Sequence, residues 1–397
     1  MPASRGGGDP DRWLTPFWVP VIAGFIPPAL CTLPFPPVQF WPATFLAPLP
    51  LVWAVLKCSQ SPFRLGLSVC LGVVPLHLFE HQWIWNVASL GYVPMAMILS
   101  AFTGLFIWLG ARIVRRFPGI PLTLVIPILW TGIEVFRGEI FFTGYPWLLL
   151  AHPLIDAPVL PLAAGLVGTY GVSFLIAALC GAAADVAWQS RPITGFVGAS
   201  AAVATFLIAW PLAPRDNSPG PRIRIAVVQT NIPQDNKNAW TVQQRFDDFQ
   251  RFETLTRQAA AGSPDLIVWP ESMFPGSALD APAVAEQRAA ASKLGADPSI
   301  TLFHDRLCAL QAEIGIPLMV GAIAVEGLRI FRDESGLHAR YDSLYNSAYV
   351  LRDGVVQAER YDKIDLTPFG EVMPYIQHWP WLQRQMMAIA AGGPTFD

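Results

Sequence analysis

The sequence predicts two folds in series, a multi-pass α-helical membrane bundle followed by an α/β domain. Three observations carry this reading. Of 397 residues, 53% are hydrophobic and 14% charged, with a mean hydropathy of +0.41. A soluble globular protein averages about 25% charged residues. The charge is also unevenly shared: residues 13–212 carry 12 charged side chains and residues 215–397 carry 39. Finally, the apolar half contains segments long enough to cross a bilayer, while the charged half alternates short β-branched runs with amphipathic ones. The 15 Trp and 24 Phe supply ample material for a core, which excludes a disordered polymer. A net charge of −3 provides no basic footprint, so nucleic acid is not an expected partner.

A spanning helix needs about 20 mostly apolar residues. Seven such segments are expected, at 13–31, 38–56, 65–83, 94–111, 120–137, 158–182 and 193–212. The first two are rich in proline, which membrane helices tolerate because neighbouring groups satisfy the freed carbonyls. The opening MPASRGGGDPDR is polar, and no small-residue cleavage site precedes the next apolar run. Segment 13–31 therefore reads as an anchor rather than a removed signal peptide. Basic residues set the orientation. With the N-terminus in the cytoplasm, Arg5, Arg12, Lys57, Arg64, Arg112, Arg115, Arg116 and Arg191 all fall inside, and Arg137 alone falls in a short outside connection. The domain that follows is then expected outside the cytoplasm.

Within this half, Gly165-Leu-Val-Gly168-Thr-Tyr-Gly171 suggests close helix packing through small residues. His77-Leu-Phe-Glu80-His81 matches an inverted zinc-protease spacing. No third ligand is identifiable nearby, so it reads as a polar helix end and no metal is expected. Glu134, Arg137 and Glu139, at the outer end of the fifth segment, are either functional or an interfacial ion pair. The five cysteines, Cys31, Cys58, Cys70, Cys180 and Cys308, divide four to one between the halves and make no intradomain disulfide framework.

Residues 213–221 form a Pro/Asn/Ser/Gly linker between a membrane domain at 1–212 and a second domain at 222–397. Arg222 to Thr230 alternates into β-branched residues and predicts a buried strand. From Trp240 to Ala261 apolar residues recur every three or four positions, and Gly262 stops the helix. Asp265–Trp269 predicts a second strand, 301–315 a helix, and Pro317–Ala324 a third strand. Tyr345–Leu351, a turn at Asp353-Gly354 and a run to Tyr361 predict a hairpin.

Glu271 follows Trp-Pro at the end of a predicted strand. Proline cannot extend a ladder, so the carboxylate projects from the rim, either as a base or as a solvated side chain. In Tyr361-Asp-Lys363-Ile-Asp-Leu-Thr-Pro-Phe-Gly-Glu371, a lysine at another strand end precedes a turn bearing a second carboxylate. A lysine between carboxylates stays charged and stabilises a developing oxyanion; a surface salt-bridge cluster is the other reading.

Together, L-I-V-W-P-E-S and Y-x-K-x-x-L-x-P-F-G-E behind seven helices resemble apolipoprotein N-acyltransferase, the membrane-anchored family of the nitrilase superfamily. Gln229-Thr-Asn-Ile-Pro-Gln234, Tyr345-Asn-Ser347, Gly144-Tyr-Pro-Trp147 and Gly168-Thr-Tyr-Gly-Val-Ser-Phe174 extend the similarity over nearly the whole chain. The resemblance implies a nitrilase-like α-β-β-α sandwich after the membrane bundle, in the inner membrane of a bacterium with the sandwich in the periplasm. It implies that a cysteine thiolate takes an acyl chain from a phospholipid donor. The α-amine of a diacylglyceryl-modified apolipoprotein cysteine then attacks the thioester, and no cofactor is involved. By this resemblance Glu271 is the general base, Lys363 holds the oxyanion, and Glu371 orients Lys363 or the donor. Tyr145, Trp147 and Trp240 contact lipid.

One element departs from the pattern. The family's cysteine stands some 50 residues beyond the lysine, and only 34 residues follow Lys363 here. The expectation is a sandwich incomplete at its C-terminus, a nucleophile beyond Asp397 and an inactive chain as given. Cys308 precedes the lysine and sits on the apolar face of a predicted helix, so it is expected in the core. Two alternatives remain, a membrane-tethered amidase or nitrilase and a non-catalytic lipid- or lipoprotein-binding membrane protein.

Overall fold

The structure, a computed structural model, describes residues 38–157, 160–212, 220–232 and 241–366, with isolated positions before 38 and at 379 and 381. The described residues up to 212 form one compact unit and those from 220 to 366 another.

The first unit is helical: α1 (Leu49–Lys57), α2 (Pro62–Glu80), α3 (Trp85–Arg116), α4 (Leu122–Val135), α5 (Ala164–Gln189) and α6 (Pro192–Leu212). Four helical stretches are long and apolar enough to cross a membrane, Pro62–Glu80, Gly91–Arg116, Pro161–Gln189 and Pro192–Ala209. The segments expected at 38–56 and 120–137 are built differently. The first is a 3-10 turn (Trp41–Phe45) leading into the short α1, and the second is the 14-residue α4 continued by a π-turn (Phe136–Ile140). The segment expected at 13–31 falls largely outside the described residues.

Leu51, Val69, Ile107, Ile126 and Ile176 meet in the core of this unit, while Phe63, Leu124, Ile193 and Phe196 are exposed. An apolar outside around an apolar inside is the pattern of a helix bundle solvated by lipid. Among the described residues of this unit, the fully buried Asp185 carboxylate is accounted for. Asp185 accepts hydrogen bonds from the Leu122 and Thr123 amides (3.0 and 2.9 Å) and from the Thr123 hydroxyl (2.6 Å). It thereby satisfies two of the amides that the first turn of α4 leaves unpaired, and it places negative charge at the positive end of the helix dipole. The glycines of the 165–171 run act differently from the expectation. A Cβ at Gly165 or Gly168 would meet nothing within 4 Å, so neither carries a close helix contact. Gly168 instead takes φ +71°, a left-handed conformation that breaks α5 and that glycine adopts without steric cost.

The second unit is α/β. One five-stranded sheet has the order β1 (Ile225–Val227), β2 (Leu266–Val268), β3 (Leu318–Glu326), β6 (Ser343–Arg352), β7 (Val355–Asp362). β1, β2 and β3 are parallel; β6 and β7 run antiparallel to their neighbours. The parallel connections pass through α7 (Val242–Ala260) and through α8 (Ala281–Leu294) followed by α9 (Leu302–Ile314). Alternation along β3 sends Leu318, Val320, Ala322 and Ala324 into one core with Phe249 and Phe252 of α7 and Leu307 and Leu310 of α9. Ile323, on the opposite face, is 43% exposed. The sheet with helices on one face is the layer pair from which a nitrilase-like sandwich is made. Each predicted strand and helix of this domain is present within a few residues, but β1, expected to be buried, is three residues long with Ile225 and Val227 exposed. Two further elements appear, α8 and a separate hairpin of β4 (Arg329–Asp333) and β5 (Gly336–Arg340).

Candidate active site

The site lies at the ends of β2 and β7. Pro270 ends β2 because it has no N–H to donate, and the chain turns there. The preceding Trp269 is buried, stacks on Phe252 with ring centroids 4.5 Å apart and donates its indole N–H to the Thr256 hydroxyl at 2.9 Å. That anchor fixes where the turn begins. On its far side the Met273 and Phe274 amides both donate to the Gly321 carbonyl, at 3.1 and 3.2 Å. The turn lies so close to β3 that a Cβ at Gly321 would stand 2.5 Å from the Pro270 carbonyl and 2.7 Å from Glu271 Cα. Glycine at 321 is therefore a condition for Glu271 to sit where it does.

Lys363 follows β7 directly, and its amide donates to the Asn346 carbonyl on β6 at 2.8 Å. This bond carries the β6–β7 pairing one residue past the strand, and it brings the Lys363 ammonium to 3.0 Å from Glu271 Oε1. The two residues are 92 positions apart in sequence. β3 and β6 stand between their strands, so contact depends on the turn after β2 passing over Gly321 and on the Lys363 amide bond to Asn346. The Lys363 side chain is 28% exposed and that of Glu271 59%, so the pair is open to an incoming substrate.

A third residue ties the pair together. Asn346 donates from Nδ2 to Glu271 Oε1, accepts from the Ser272 hydroxyl at 3.0 Å, and holds Lys363 through its backbone carbonyl. The sequence noted Asn346 only as part of a matching run and gave it no role in the site. Both Lys363 and Asn346 use Oε1 of Glu271, so Oε2 is the oxygen left to take a proton among the described residues.

Beside the pair, Asp362 accepts from the Ser347 hydroxyl at 2.5 Å and from Arg360 Nε at 2.8 Å. The Arg360 guanidinium holds the Asp362 carboxyl below the usual carboxylate range. Arg360 also donates to Asp280 at 2.7 Å, and Tyr349, against the same group, is buried in the sheet. This polar network braces the end of β7 next to Lys363.

The remaining expected residues are distributed as follows. Tyr145 and Trp147 belong to the helical unit, where their rings stack at 6.0 Å and Trp147 stacks on Trp83 at 5.2 Å. The Tyr145 hydroxyl is buried without a partner among the described residues. Glu371 and Trp240 lie outside the described residues, as does Cys31. Cys308 is in α9, packed against the sheet core. Burial and the nearby Asp305 carboxylate push its thiol pKa up, the wrong direction for a nucleophile. Its neighbour on the sheet is Val356, at the start of β7, whereas Lys363 follows the end of that strand. At about 3.3 Å per residue the two ends are roughly 20 Å apart.

Comparison with known proteins agrees with this architecture. Residues 28–182 match the family described as apolipoprotein N-acyltransferase N-terminal domain, and residues 224–385 match carbon-nitrogen hydrolase. An apolipoprotein N-acyltransferase of Vibrio parahaemolyticus is 27% identical over 374 residues, covering 90% of this chain and 66% of the relative. One from Geobacter metallireducens is 29% identical over 392 residues, covering 92% and 67%. One from Brucella melitensis is 27% identical over 403 residues, covering 95% and 70%. The chain spans about two thirds of the length of these relatives. The two matches fall in the same order as the two units, a helical membrane half and an α/β half with a Glu–Lys pair at its strand ends. On these grounds the chain is a multi-pass membrane protein that is similar over nearly its whole length to apolipoprotein N-acyltransferases, with a second unit that matches carbon-nitrogen hydrolases.

Proposed function

We propose that this protein carries the base and the oxyanion partner of an N-acyltransferase. The acyl donor is a phospholipid, and the acceptor is the N-terminal α-amine of a diacylglyceryl-modified apolipoprotein cysteine. The observation that carries the reading is the Lys363–Glu271 contact of 3.0 Å at two strand ends, with Asn346 bound to both.

In the first half-reaction Glu271 takes the proton of a cysteine thiol, and the thiolate attacks the ester carbonyl of the phospholipid. The carbonyl oxygen becomes an oxyanion, for which the Lys363 ammonium is a preformed cationic partner. Collapse expels the glycerol oxygen, which takes up the proton and leaves as lysophospholipid, and a thioester remains. In the second half-reaction the α-amine attacks that thioester, Glu271 accepts the amine proton, and the thiolate leaves as the amide forms. Glu371 orients Lys363 or the donor, and Tyr145, Trp147 and Trp240 contact the lipid parts of the substrates. Cys308 is excluded from the nucleophile's role in this scheme by its place at the far end of β7 and its raised pKa. The same reading puts the N-terminus in the cytoplasm and the α/β unit in the periplasm, supported by the eight-to-one basic asymmetry.

The test is to express the complete gene, reconstitute its product with phospholipid and offer a synthetic diacylglyceryl-cysteine peptide. Mass spectrometry should find one added acyl chain on the α-amine together with lysophospholipid. A Cys308→Ser variant should do the same. Release of ammonia from simple amides in place of N-acylation would favour a tethered amidase.

A further inference from the structure

We propose that the periplasmic-side end of α2, as this chain is oriented above, holds a divalent transition-metal ion on His77, Glu80 and His81, with zinc the best-fitting ion. One nitrogen of each imidazole and one carboxylate oxygen lie within 4.8 Å of one another. The closest two, His77 Nδ1 and Glu80 Oε2, are 3.1 Å apart. Tetrahedral zinc with bonds of about 2.0–2.1 Å holds its ligand atoms roughly 3.4 Å apart. His77 Nδ1 donates a hydrogen bond to Glu80 Oε2 at 3.1 Å, and a metal ion would take the place of its proton.

The second observation concerns the His81 ring, which is 1% exposed. Its Nδ1 stands 2.9 Å from the His77 carbonyl oxygen. A carbonyl oxygen only accepts, so Nδ1 carries the proton, and in the neutral ring Nε2 presents a bare lone pair. That Nε2 is buried and has no hydrogen-bond partner among the described residues. Protonating it as well would leave a buried charged N–H without an acceptor, at a cost of several kcal/mol or more (roughly). Metal-bound histidines commonly donate the other ring N–H to a backbone carbonyl, which fixes the tautomer and aims the free nitrogen at the ion. In His81 the Nδ1–H meets the His77 carbonyl in this way, and Nε2 is the nitrogen left without a partner among the described residues.

Space is compatible with a cation. His77 and Glu80 line a cavity of about 120 Å³ together with Glu134 and Arg137. A water occupies about 30 Å³, so the cavity has room for one on the ion as fourth ligand. Two imidazoles and one carboxylate form the mixed nitrogen and oxygen set that suits zinc or cobalt better than the all-oxygen ions magnesium and calcium. The aromatic group beside the cluster gives the ion a structural consequence. The Tyr145 ring is 5.9 Å from His81 and stacks on Trp147. An ion holding His81 would fix the wall on which these two rings rest.

The test uses the full chain in detergent, purified without a polyhistidine tag and stripped with a chelator. Titration with Co²⁺ should give one bound ion per chain with the visible absorption of a four- or five-coordinate site, and Zn²⁺ should displace it. Outer-shell changes alone typically weaken such sites by about 10–100-fold; His77→Ala, His81→Ala and Glu80→Gln should each weaken Co²⁺ binding at least that much. His304→Ala, on the separate His304-Asp305-Cys308 group of α9, should leave it unchanged. Glu80→Gln conserves size, so its effect is readable even if a histidine variant misfolds. Absence of stoichiometric binding to the unsubstituted protein would overturn the proposal, as would binding that survives all three substitutions or is lost in His304→Ala alone.

Discussion

Glu271 touches two groups through one oxygen, and its chemistry follows from that. Lys363 and Asn346 both engage Oε1, so the carboxylate is held in one orientation while Oε2 remains for the proposed proton transfer. Glu271→Gln keeps size and hydrogen bonding but accepts no proton, and loss of a general base typically costs about 10²–10⁴-fold in rate. Lys363→Ala removes the cationic partner, and loss of one such donor costs on the order of 10²–10³-fold. Both rates are read in the peptide acylation assay. Neither variant should shift the melting temperature by more than a degree or two, because an open ion pair contributes about 0–1 kcal/mol. A large loss of stability in either would mean the pair serves the fold rather than the reaction. Glu271 and Lys363 were legible in the sequence because each announces a strand end, one by Trp-Pro and the other by the run closing a hairpin. Asn346 was not. Its role depends on the register in which β6 and β7 pair and on a turn 75 residues away, neither of which the local sequence specifies.

At the scale of elements, the turn after β2 and the end of β7 are fixed by different means. The turn depends on the missing side chain of Gly321. Gly321→Ala places a Cβ against Pro270 and Glu271, and overpacking of this kind costs about 1–3 kcal/mol. Because the displaced residue is the proposed base, activity should fall by more than the stability loss explains. Thermal unfolding and acylation rate measured on one preparation separate the two. The end of β7 depends on Arg360, which is 17% exposed and bound to Asp280, Glu326 and Asp362. Charged hydrogen bonds of this sort contribute about 1.5–3 kcal/mol, so Arg360→Ala should destabilise the protein by a comparable amount at neutral pH. The sign of its pH dependence follows from Asp362, whose folded pKa is depressed by Arg360. The stabilisation is present above the unfolded carboxylate pKa of about 4 and is lost as pH falls through the lower folded value. The gap between variant and parent should therefore narrow in acid, and denaturant melts at pH 7 and pH 3 check it.

The strands and the amphipathic helices α7 and α9 were readable because alternation and the three-to-four repeat are local signals. α8 was not, since its Ala-rich sequence (APAVAEQRAAASKL) has little periodicity and relies on helix propensity with Gly295 as its left-handed stop. Among the described residues the β4–β5 hairpin forms a separate two-stranded sheet and carries mostly exposed residues, so it leaves no burial pattern to read. Gly168 was misread for a related reason: a glycine-rich helical run looks the same whether it serves close packing or a break in the helix.

At the scale of the whole molecule, the division of charge separates a lipid-solvated helical half from a water-solvated α/β half. Four helical stretches carry mean hydropathies of 1.5 to 1.9, and large apolar side chains such as Ile193 and Phe196 remain on the outside of their unit. That much was legible in composition, whereas the short α1 and the π-turn after α4 reflect packing that hydropathy does not report. The proposed orientation makes a direct prediction. A reporter fused after Pro214 should be active only if it functions outside the cytoplasm, and cytoplasmic activity there would reverse the assignment. The central claim is that Glu271 activates a cysteine other than Cys308 to take an acyl chain from phospholipid. The complete gene product, incubated with phospholipid and no acceptor, should gain the mass of one acyl chain in intact-protein mass spectrometry. The Glu271→Gln form should gain none, and the Cys308→Ser form should gain it as fully as the parent. An acyl group mapped to Cys308, or equal acylation of the Glu271→Gln form, would contradict the account.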